Sequence, residues 1–361
     1  MALIRSLDLL DAFELEHRQV FLDDLRGALI ELGFFILTNF SQYGPSQADF
    51  DAITNEALKF FSSPKNVKEE IEMINSPHFL GYTRLGNEIT AKQKDWREQI
   101  DLATELPAPD KHLPTYRQIE GPNLWPDAKV LPQFRHIVED YIRKMTVLSE
   151  TIRKLVACAL GLDENAFEFL FKKNQQCKMK LVSYPERSAS LEEAESGQGV
   201  GPHRDSDFLT YIYQATEHQN TLQVQSYKGD WISVGHVKGS LVVNAGQTLE
   251  AISSGVCKAS IHRVNSPQPG SGTRISIPFF LTINLDSYKT TITGFSNKTI
   301  AMKEERDNII NEWGADVGFQ FAPQVDKEPV GQAVFLNRIK AHQDVAKRWY
   351  PDILENVLKQ F

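Results

Sequence analysis

The chain has 361 residues, 41% hydrophobic and 24% charged, enough for one large core or two modest ones, and this composition disfavours disorder. Its formal net charge of −8 and pI near 5.7 give no uniform basic surface, so nucleic acid is disfavoured as the main partner. No apolar run approaches the roughly 20 residues of a bilayer span, and Met1 to Leu10 is too short an apolar stretch for a signal peptide, so no membrane association and a cytoplasmic setting are expected.

The first half reads mostly helical. Leu22, Leu25, Leu29 and Leu32 recur at spacings of three and four over Phe21 to Leu32, and Gly33 ends that helix ahead of the strand-like Phe34 to Leu37. Phe50 to Phe61 forms a second amphipathic helix, stopped before Pro64. A longer helix over Ile137 to Leu160 places Ile142, Met145, Leu148, Ile152, Leu155 and Ala159 on one face, with Gly161 as its C-terminal cap. Cys158 lies inside that pattern. Together with Cys177 and Cys257 it makes an odd set without metal-finger spacing and with no neighbouring base, read as buried free thiols.

From Lys178 the period changes to two. Short apolar segments run over Met179 to Ser183, Phe208 to Tyr213, Thr221 to Val224, Trp231 to Val234, Leu241 to Val243, Ser260 to Val264 and Arg274 to Leu281, a number that predicts a sandwich or barrel. Ser188 to Gly201, with three glutamates and three glycines, reads as an exposed loop. After Leu285 the pattern loosens, and Phe335 to Phe361 returns to helix, interrupted at Pro351. The expected fold is an all-β core with flanking helices, of the α+β class: a helix-rich region over 1–175, a β core over 176–285, and strands and helices covering it over 286–361.

His203-Arg204-Asp205 sets an imidazole and a carboxylate at i and i+2, on one face of a strand. A second imidazole would complete one face of an octahedron and leave the opposite positions open, the arrangement of mononuclear iron(II) oxygenase sites. His262, 57 positions after Asp205 in the apolar run Ser260 to Val264, is the candidate. Taken alone, a His-x-Asp pair is more often a solvated turn or salt bridge, and a lone strand histidine more often bonds a backbone carbonyl in the core.

Arg274-Ile275-Ser276 is another i, i+2 pair, flanked by apolar Ile275 and Ile277. A guanidinium pointing into an apolar interior needs an anion. It can grip a carboxylate through two hydrogen bonds, with the Ser276 hydroxyl donating a third, or it can pair with an acidic residue of this chain. Tyr184 offers a phenol to the same group, or packs as an ordinary amphipathic tyrosine.

These residues resemble the 2-oxoglutarate and iron(II)-dependent dioxygenases of the isopenicillin N synthase-like superfamily, over nearly the whole chain. Ala28 to Phe35, Lys59 to Pro64, Gly81-Tyr82 and Asp95-Trp96-Arg97-Glu98 resemble N-terminal signatures of the family. Tyr184-Pro185, His203-Arg204-Asp205, Gly229 to Val234, Val242 to Gly246, His262-Arg263-Val264 and Arg274-Ile275-Ser276 follow in family order. The resemblance implies a distorted double-stranded β-helix, or jelly roll. It implies iron(II) held by His203, Asp205 and His262, 2-oxoglutarate held by Arg274 and Ser276 with help from Tyr184, and O2 as the oxidant. Two positions depart from the family pattern. Val182 stands where many members carry an asparagine contacting the co-substrate, and Gln247 stands where an aspartate is usual.

The implied function is oxidation of a small organic substrate, by hydroxylation, desaturation or cyclisation, with 2-oxoglutarate decarboxylated to succinate. Specialised metabolism is the expected setting. The missing asparagine leaves open an oxidase of the same superfamily that uses no 2-oxoglutarate, and a catalytically silent small-molecule receptor is the alternative outside enzymes. Histidines 17, 78, 112, 136, 218, 236 and 342 read as surface or helix residues without a catalytic role. Phe279 and Phe280 are read as pocket lining or core, Arg204 and Asp207 as substrate contacts or solvated charges, and the helix from Phe335 as a cover for the pocket mouth.

Overall fold

The computed structural model describes residues 4–90, 93–172, 175–187, 197–288, 290–310 and 328–359. In chain order the strands are β1 (Arg5–Asp8), β2 (Phe34–Thr38), β3 (Gly81–Thr83), β4 (Ile89–Thr90), β5 (Gln93–Lys94), β6 (Glu98–Ala103) and β7 (Lys178–Tyr184). They continue as β8 (Gln198–His203), β9 (Leu209–Gln214), β10 (Leu222–Gln225), β11 (Trp231–Ser233), β12 (Leu241–Ala245), β13 (His262–Asn265) and β14 (Arg274–Leu281). The α-helices are α1 (Arg18–Glu31), α2 (Gln47–Ser62), α3 (Lys65–Glu69), α4 (Phe134–Ala159), α5 (Gln247–Ile252), α6 (Asn297–Ile310), α7 (Val330–Ala341), α8 (Gln343–Trp349) and α9 (Pro351–Leu358).

An eight-stranded sheet runs β1-β2-β12-β9-β14-β7-β6-β3, and a four-stranded sheet runs β11-β10-β13-β8. Between β7 and β14 the chain passes back and forth between the two sheets, with the β10–β11 hairpin inside the smaller one. This is how a double-stranded β-helix is wound, and the expected jelly-roll core is what forms.

The period-two pattern gives the large sheet two different faces. In β14, Ile275, Ile277, Phe279 and Leu281 enter an apolar core shared with Phe21 and Leu25 of α1, Phe50 and Phe60 of α2 and Met145 and Ile152 of α4. The alternate residues Arg274, Ser276 and Phe280 face a cavity. Strand β7 behaves likewise: Met179 and Leu181 join the core, and Lys178, Lys180, Val182 and Tyr184 face the cavity. Between the sheets, Val182, Ile212, Leu222, Val224, Val242 and Val264 form a second, smaller core.

The expected helices form with slightly extended ends. Helix α2 begins at Gln47 because Ser46 and Asp49 make a reciprocal capping box. Helix α4 closes with Gly161 at φ +81° and the Leu162 N–H bonded back to the Ala157 carbonyl.

Four expectations differ from the structure. The boundary at 175 does not separate structural units, since β1, β2, β3 and β6 belong to the same sheet as β7, β9, β12 and β14. Beyond residue 285 the described residues hold helices and no strand. The helix expected from Phe335 starts at Val330 and divides at His342 as well as before Pro351, and Phe361 lies outside the described residues. Of the loop expected over Ser188 to Gly201, residues 188–196 lie outside the described residues, and the remainder is mostly strand β8. Among the described residues no helix is long and apolar enough to cross a membrane.

Gly33 joins α1 to β2 at φ +70°, and a Cβ there would lie 2.0 Å from the Lys258 carbonyl oxygen. Gly33→Ala is therefore expected to destabilise the fold by at least about 1–2 kcal/mol from the left-handed backbone alone, with the clash adding to it. Chemical denaturation measures this; an unchanged midpoint would contradict the close approach.

Candidate active site

His203 ends β8 and His262 begins β13. The two are direct partners in the antiparallel pairing of these strands, with ring centroids 4.2 Å apart. Asp205, two residues past the end of β8, brings Oδ1 to 3.6 Å from His203 Nε2 and 3.7 Å from His262 Nε2. One ligand atom from each of the three residues lies within 4.8 Å of the other two.

The orientation of each group is set from behind. His203 Nδ1 faces the Gly201 carbonyl at 2.8 Å and His262 Nδ1 faces the Ser260 carbonyl at 3.2 Å, so each ring donates N–H there and keeps the Nε2 lone pair inward. Asp205 Oδ2 accepts from the Thr210 hydroxyl at 2.6 Å and the Asn244 amide at 2.8 Å, which leaves Oδ1 free. Thr210 and Asn244 are themselves cross-strand partners on β9 and β12, and this is why both reach one oxygen. Gly246 follows Asn244 because a Cβ there would sit 1.9 Å from the Asp207 carbonyl oxygen. Gln247 donates its backbone N–H to the Asp205 carbonyl at 2.8 Å, so glutamine in place of the family's aspartate leaves this turn bonded.

Burial and the neighbouring His262 push the His203 imidazole down to about 4, so it is neutral near pH 7 and can act as an electron-pair donor. Burial alone would raise the Asp205 carboxyl, but the two imidazoles and the bonds from Thr210 and Asn244 bring it below its ordinary value. Three electron-pair donors with no proton between them, two of them imidazole nitrogens and one a carboxylate oxygen, fit a divalent cation held on one side, the facial triad of non-haem iron(II).

Arg274 is 1% exposed, and its Nε and Nη1 have no hydrogen-bond partner among the described residues. Its Nη2 donates to Gln214 Oε1 at 3.4 Å, and its guanidinium lies 5.0 Å from the centroid of the Tyr184 ring. The internal ion pair weighed from sequence is not formed with any described residue. An orphaned buried guanidinium requires an anion, and Tyr184, opposite Arg274 in the β7–β14 register, and Ser276 line the same cavity. Val182 lies opposite Ser276, so an apolar side chain occupies the position of the family's asparagine.

The cavity, about 300 Å³, extends from these residues to a charged wall. Arg97 pairs with Glu88 at 2.8 Å and Asp95 at 3.2 Å, Lys180 with Asp101 at 3.4 Å and Glu88 at 3.8 Å, and Arg338 of α7 with Asp101 at 3.2 Å. Burial alone would raise the Glu88 carboxyl, but Arg97 and Lys180 hold it well below the usual carboxylate range. Asp95 is fully buried and accepts from the Gly201 N–H at 3.2 Å, the Gln198 amide at 3.0 Å and the Thr90 hydroxyl at 2.7 Å. The N-terminal Asp-Trp-Arg-Glu signature thus secures the strand that carries His203.

Phe280, Arg204 and Asp207 line the cavity, and Phe279 belongs to the core. Helix α7 contributes Val330, Val334, Asn337, Arg338 and Ala341 to the lining. His342 corrects the expectation of a surface histidine: it is 4% exposed and faces the cavity from the break between α7 and α8. His78 and His218 are buried as well. Cys177 and Cys257 are buried free thiols, and burial pushes each up to about 12, which makes them inert. Sequence reasoning gave no role to Thr210, Asn244, Asp95, Asn337 and Arg338. Asn244, a polar residue inside the apolar Leu241 to Ala245, was the legible signal among them.

Comparison with known proteins agrees with this geometry. Residues 4–128 match the family described as "non-haem dioxygenase in morphine synthesis N-terminal", and residues 174–283 match the 2OG-Fe(II) oxygenase superfamily. The 2-oxoglutarate-dependent dioxygenase frbJ of Dothideomycetidae sp. (strain 11243) is 40% identical over 99% of this chain and 95% of its own length. Homoarginine-6-hydroxylase 2-ODD-C23.1 of Arabidopsis thaliana is 31% identical over 71% of this chain and 75% of its own. The crystal structure of a full-length Neurospora crassa protein in complex with alpha-KG superposes with a TM-score of 0.71 at 22% identity, covering 93% of this chain and 95% of that one.

Asp95→Ala would leave the buried Gly201 N–H without its acceptor, and is expected to cost roughly 1–3 kcal/mol. Equilibrium unfolding in urea reads this directly, and a loss below measurement error would remove Asp95 as the support of β8.

Proposed function

The chain belongs to the 2OG-Fe(II) oxygenase superfamily and is an iron(II)- and 2-oxoglutarate-dependent dioxygenase; on that premise, we propose that His203, Asp205 and His262 hold the metal and that Arg274, Ser276 and Tyr184 hold the co-substrate. The observation that carries the first assignment is the convergence of two inward Nε2 atoms on the free Oδ1 of Asp205. The second rests on the buried Arg274 guanidinium, whose Nε and Nη1 have no partner among the described residues.

Iron(II) bound to the three residues supplies the redox chemistry that couples decarboxylation of 2-oxoglutarate to succinate with oxidation of a substrate C–H bond by O2. The chain supplies position. Thr210 and Asn244 fix the carboxylate rotamer, so that one oxygen is committed to the metal and the other to the scaffold. Arg274 takes the far carboxylate of 2-oxoglutarate in a two-point grip, Ser276 donates its hydroxyl to the same group, and the Tyr184 phenol lies beside them. Val182 adds an apolar surface that closes this end of the cavity without competing for the dicarboxylate. Helix α7 covers the opposite end and keeps bulk water from the reacting carbon. The substrate is a small organic molecule, as the cavity volume and the named substrate of the Arabidopsis relative support.

Anaerobic titration with iron(II) and then 2-oxoglutarate should give a weak visible charge-transfer band that follows 2-oxoglutarate occupancy. Arg274→Met removes one partner of a buried charge pair, a loss on the order of 10²–10³-fold in 2-oxoglutarate affinity. A band that saturates at the same concentration in this variant would overturn the assignment. Asn244→Leu keeps the branched shape of the side chain but leaves Asp205 Oδ2 with a single donor. Iron(II) affinity, measured against a competing chelator, should fall about 10–100-fold, and an unchanged affinity would make Asn244 incidental.

A further inference from the structure

The charged wall is not uniformly satisfied. Arg97, Lys180 and Arg338 on one side and Glu88, Asp95 and Asp101 on the other form a continuous chain of ion pairs, three cations with three anions. That part is balanced in charge. Outside it, and apart from Arg274, Asp205 and Glu120, which pairs with Arg117 at 2.7 Å, three charged side chains face the cavity.

Asp207 has no cation within 4 Å among the described residues, and its carboxylate accepts a single hydrogen bond, from Ser206 Oγ at 3.3 Å. Lys178 has no carboxylate within 4 Å among them. It donates to the Ile119 carbonyl and to Gln176 Oε1, both at 2.7 Å, which leaves its third N–H unused. Arg204 also lacks an ion-pair partner among them, and its buried Nε has no hydrogen-bond partner. Half-buried charges in this state lose water without gaining a counter-charge, a cost that a complementary ligand removes.

Lys178 is separate from the co-substrate end. Lys178 and Tyr184 terminate the same cavity-facing row of β7, six residues and so roughly 20 Å apart along the strand. The anion-binding end at Arg274 therefore cannot share its ligand with Lys178. Two further groups point to a polar occupant at the far end. Arg338 bonds Asp101 through Nη1 alone, and the buried Nδ2 of Asn337, one residue earlier on α7, has no partner. Between the two ends, Pro278, Phe280, Ile283 and Val334 provide an apolar stretch for carbon.

Resting on the iron and 2-oxoglutarate sites proposed above, we propose that the substrate is a zwitterion of the amino-acid class. Its carboxylate is received by Lys178, Arg338 and Asn337, its cationic nitrogen by Asp207, and its carbon chain by the apolar stretch between. Arg204 leaves the lone charges with one positive in excess, so an amino acid with no net charge or one net negative charge is favoured and a polycation is rejected.

The test uses the full chain with iron(II) and 2-oxoglutarate under anaerobic conditions. Two signals are followed, the perturbation of the visible charge-transfer band and the heat of binding. The ligands are the common L-amino acids and ornithine, the amines that result from removing the carboxylate, the acids that result from removing the amine, and uncharged thymine. At least one amino acid should bind saturably, with affinity falling tenfold or more when either charged end is removed. Asp207→Asn should erase the preference for that amino acid over its deaminated acid, and Lys178→Met the preference over its decarboxylated amine. Binding of the acid, the amine or thymine as tightly as the amino acid would overturn the proposal, as would unchanged preferences in both variants. If the band forms and no amino acid alters it, the zwitterion is wrong and the iron and 2-oxoglutarate sites stand. If no band forms in the unaltered protein, those sites fall and the substrate assignment falls with them.

Discussion

The structure depends on bringing a buried carboxylate and two imidazole lone pairs to one point. No described residue satisfies Asp205 Oδ1, because its partner oxygen takes both available donors and the two Nε2 atoms facing it are electron-pair donors as well. Such an arrangement is tolerable when a divalent cation completes it. The surroundings follow from that requirement. The β8–β13 register must set His203 against His262, the β9–β12 register must set Thr210 against Asn244, and β8 must be held firmly enough for the geometry to persist. Asp95, reaching from the segment between β5 and β6, supplies that hold.

The large sheet makes the site possible by treating its two faces differently. Its outer face is closed by α1, α2 and α4 through large apolar side chains, and this burial supplies most of the stability. The inner face is then free to carry Arg274, Lys178 and Lys180, groups that would be destabilising in a core. A two-residue period along β7 and β14 thus separates folding from function: one set of alternate residues holds the sheet to its helices, the other lines the cavity.

This separation explains what could be read from sequence. His203 and Asp205, and Arg274 and Ser276, were legible because i, i+2 spacing in a strand fixes a common face. His262 was legible because an imidazole in an apolar strand needs a reason. The partners of Asp205 were not, since cross-strand register between distant segments leaves no local trace. The first four residues of β8 were read as loop because Gly199 and Gly201 resemble turn residues. In the structure Gly199 is small because a Cβ would meet Tyr184 Cδ1 at 2.9 Å and the Val264 carbonyl at 3.0 Å. Close packing and turn geometry select the same residue, and sequence alone does not separate them. Helix α7 lost its amphipathic signature for a related reason: Phe335 and Ile339 enter one core while Val334, Asn337 and Arg338 face the cavity, so neither side is plainly solvent-facing.

Helix α7 also joins two tasks that are separate elsewhere in the cavity. It is seated by Gly331, whose missing side chain lets the helix approach Tyr116 and the Leu285 carbonyl at distances that a Cβ would violate, 2.4 and 2.8 Å. From that seat it presents Asn337 and Arg338 to the occupant and Val330 and Val334 to the apolar part of the wall. The residues that recognise the far end of a substrate therefore ride on the element that shuts out water. A ligand that bonds Asn337 and Arg338 would thereby contact the helix that lines the apolar wall. In this arrangement selectivity and the exclusion of water rest on the same helix.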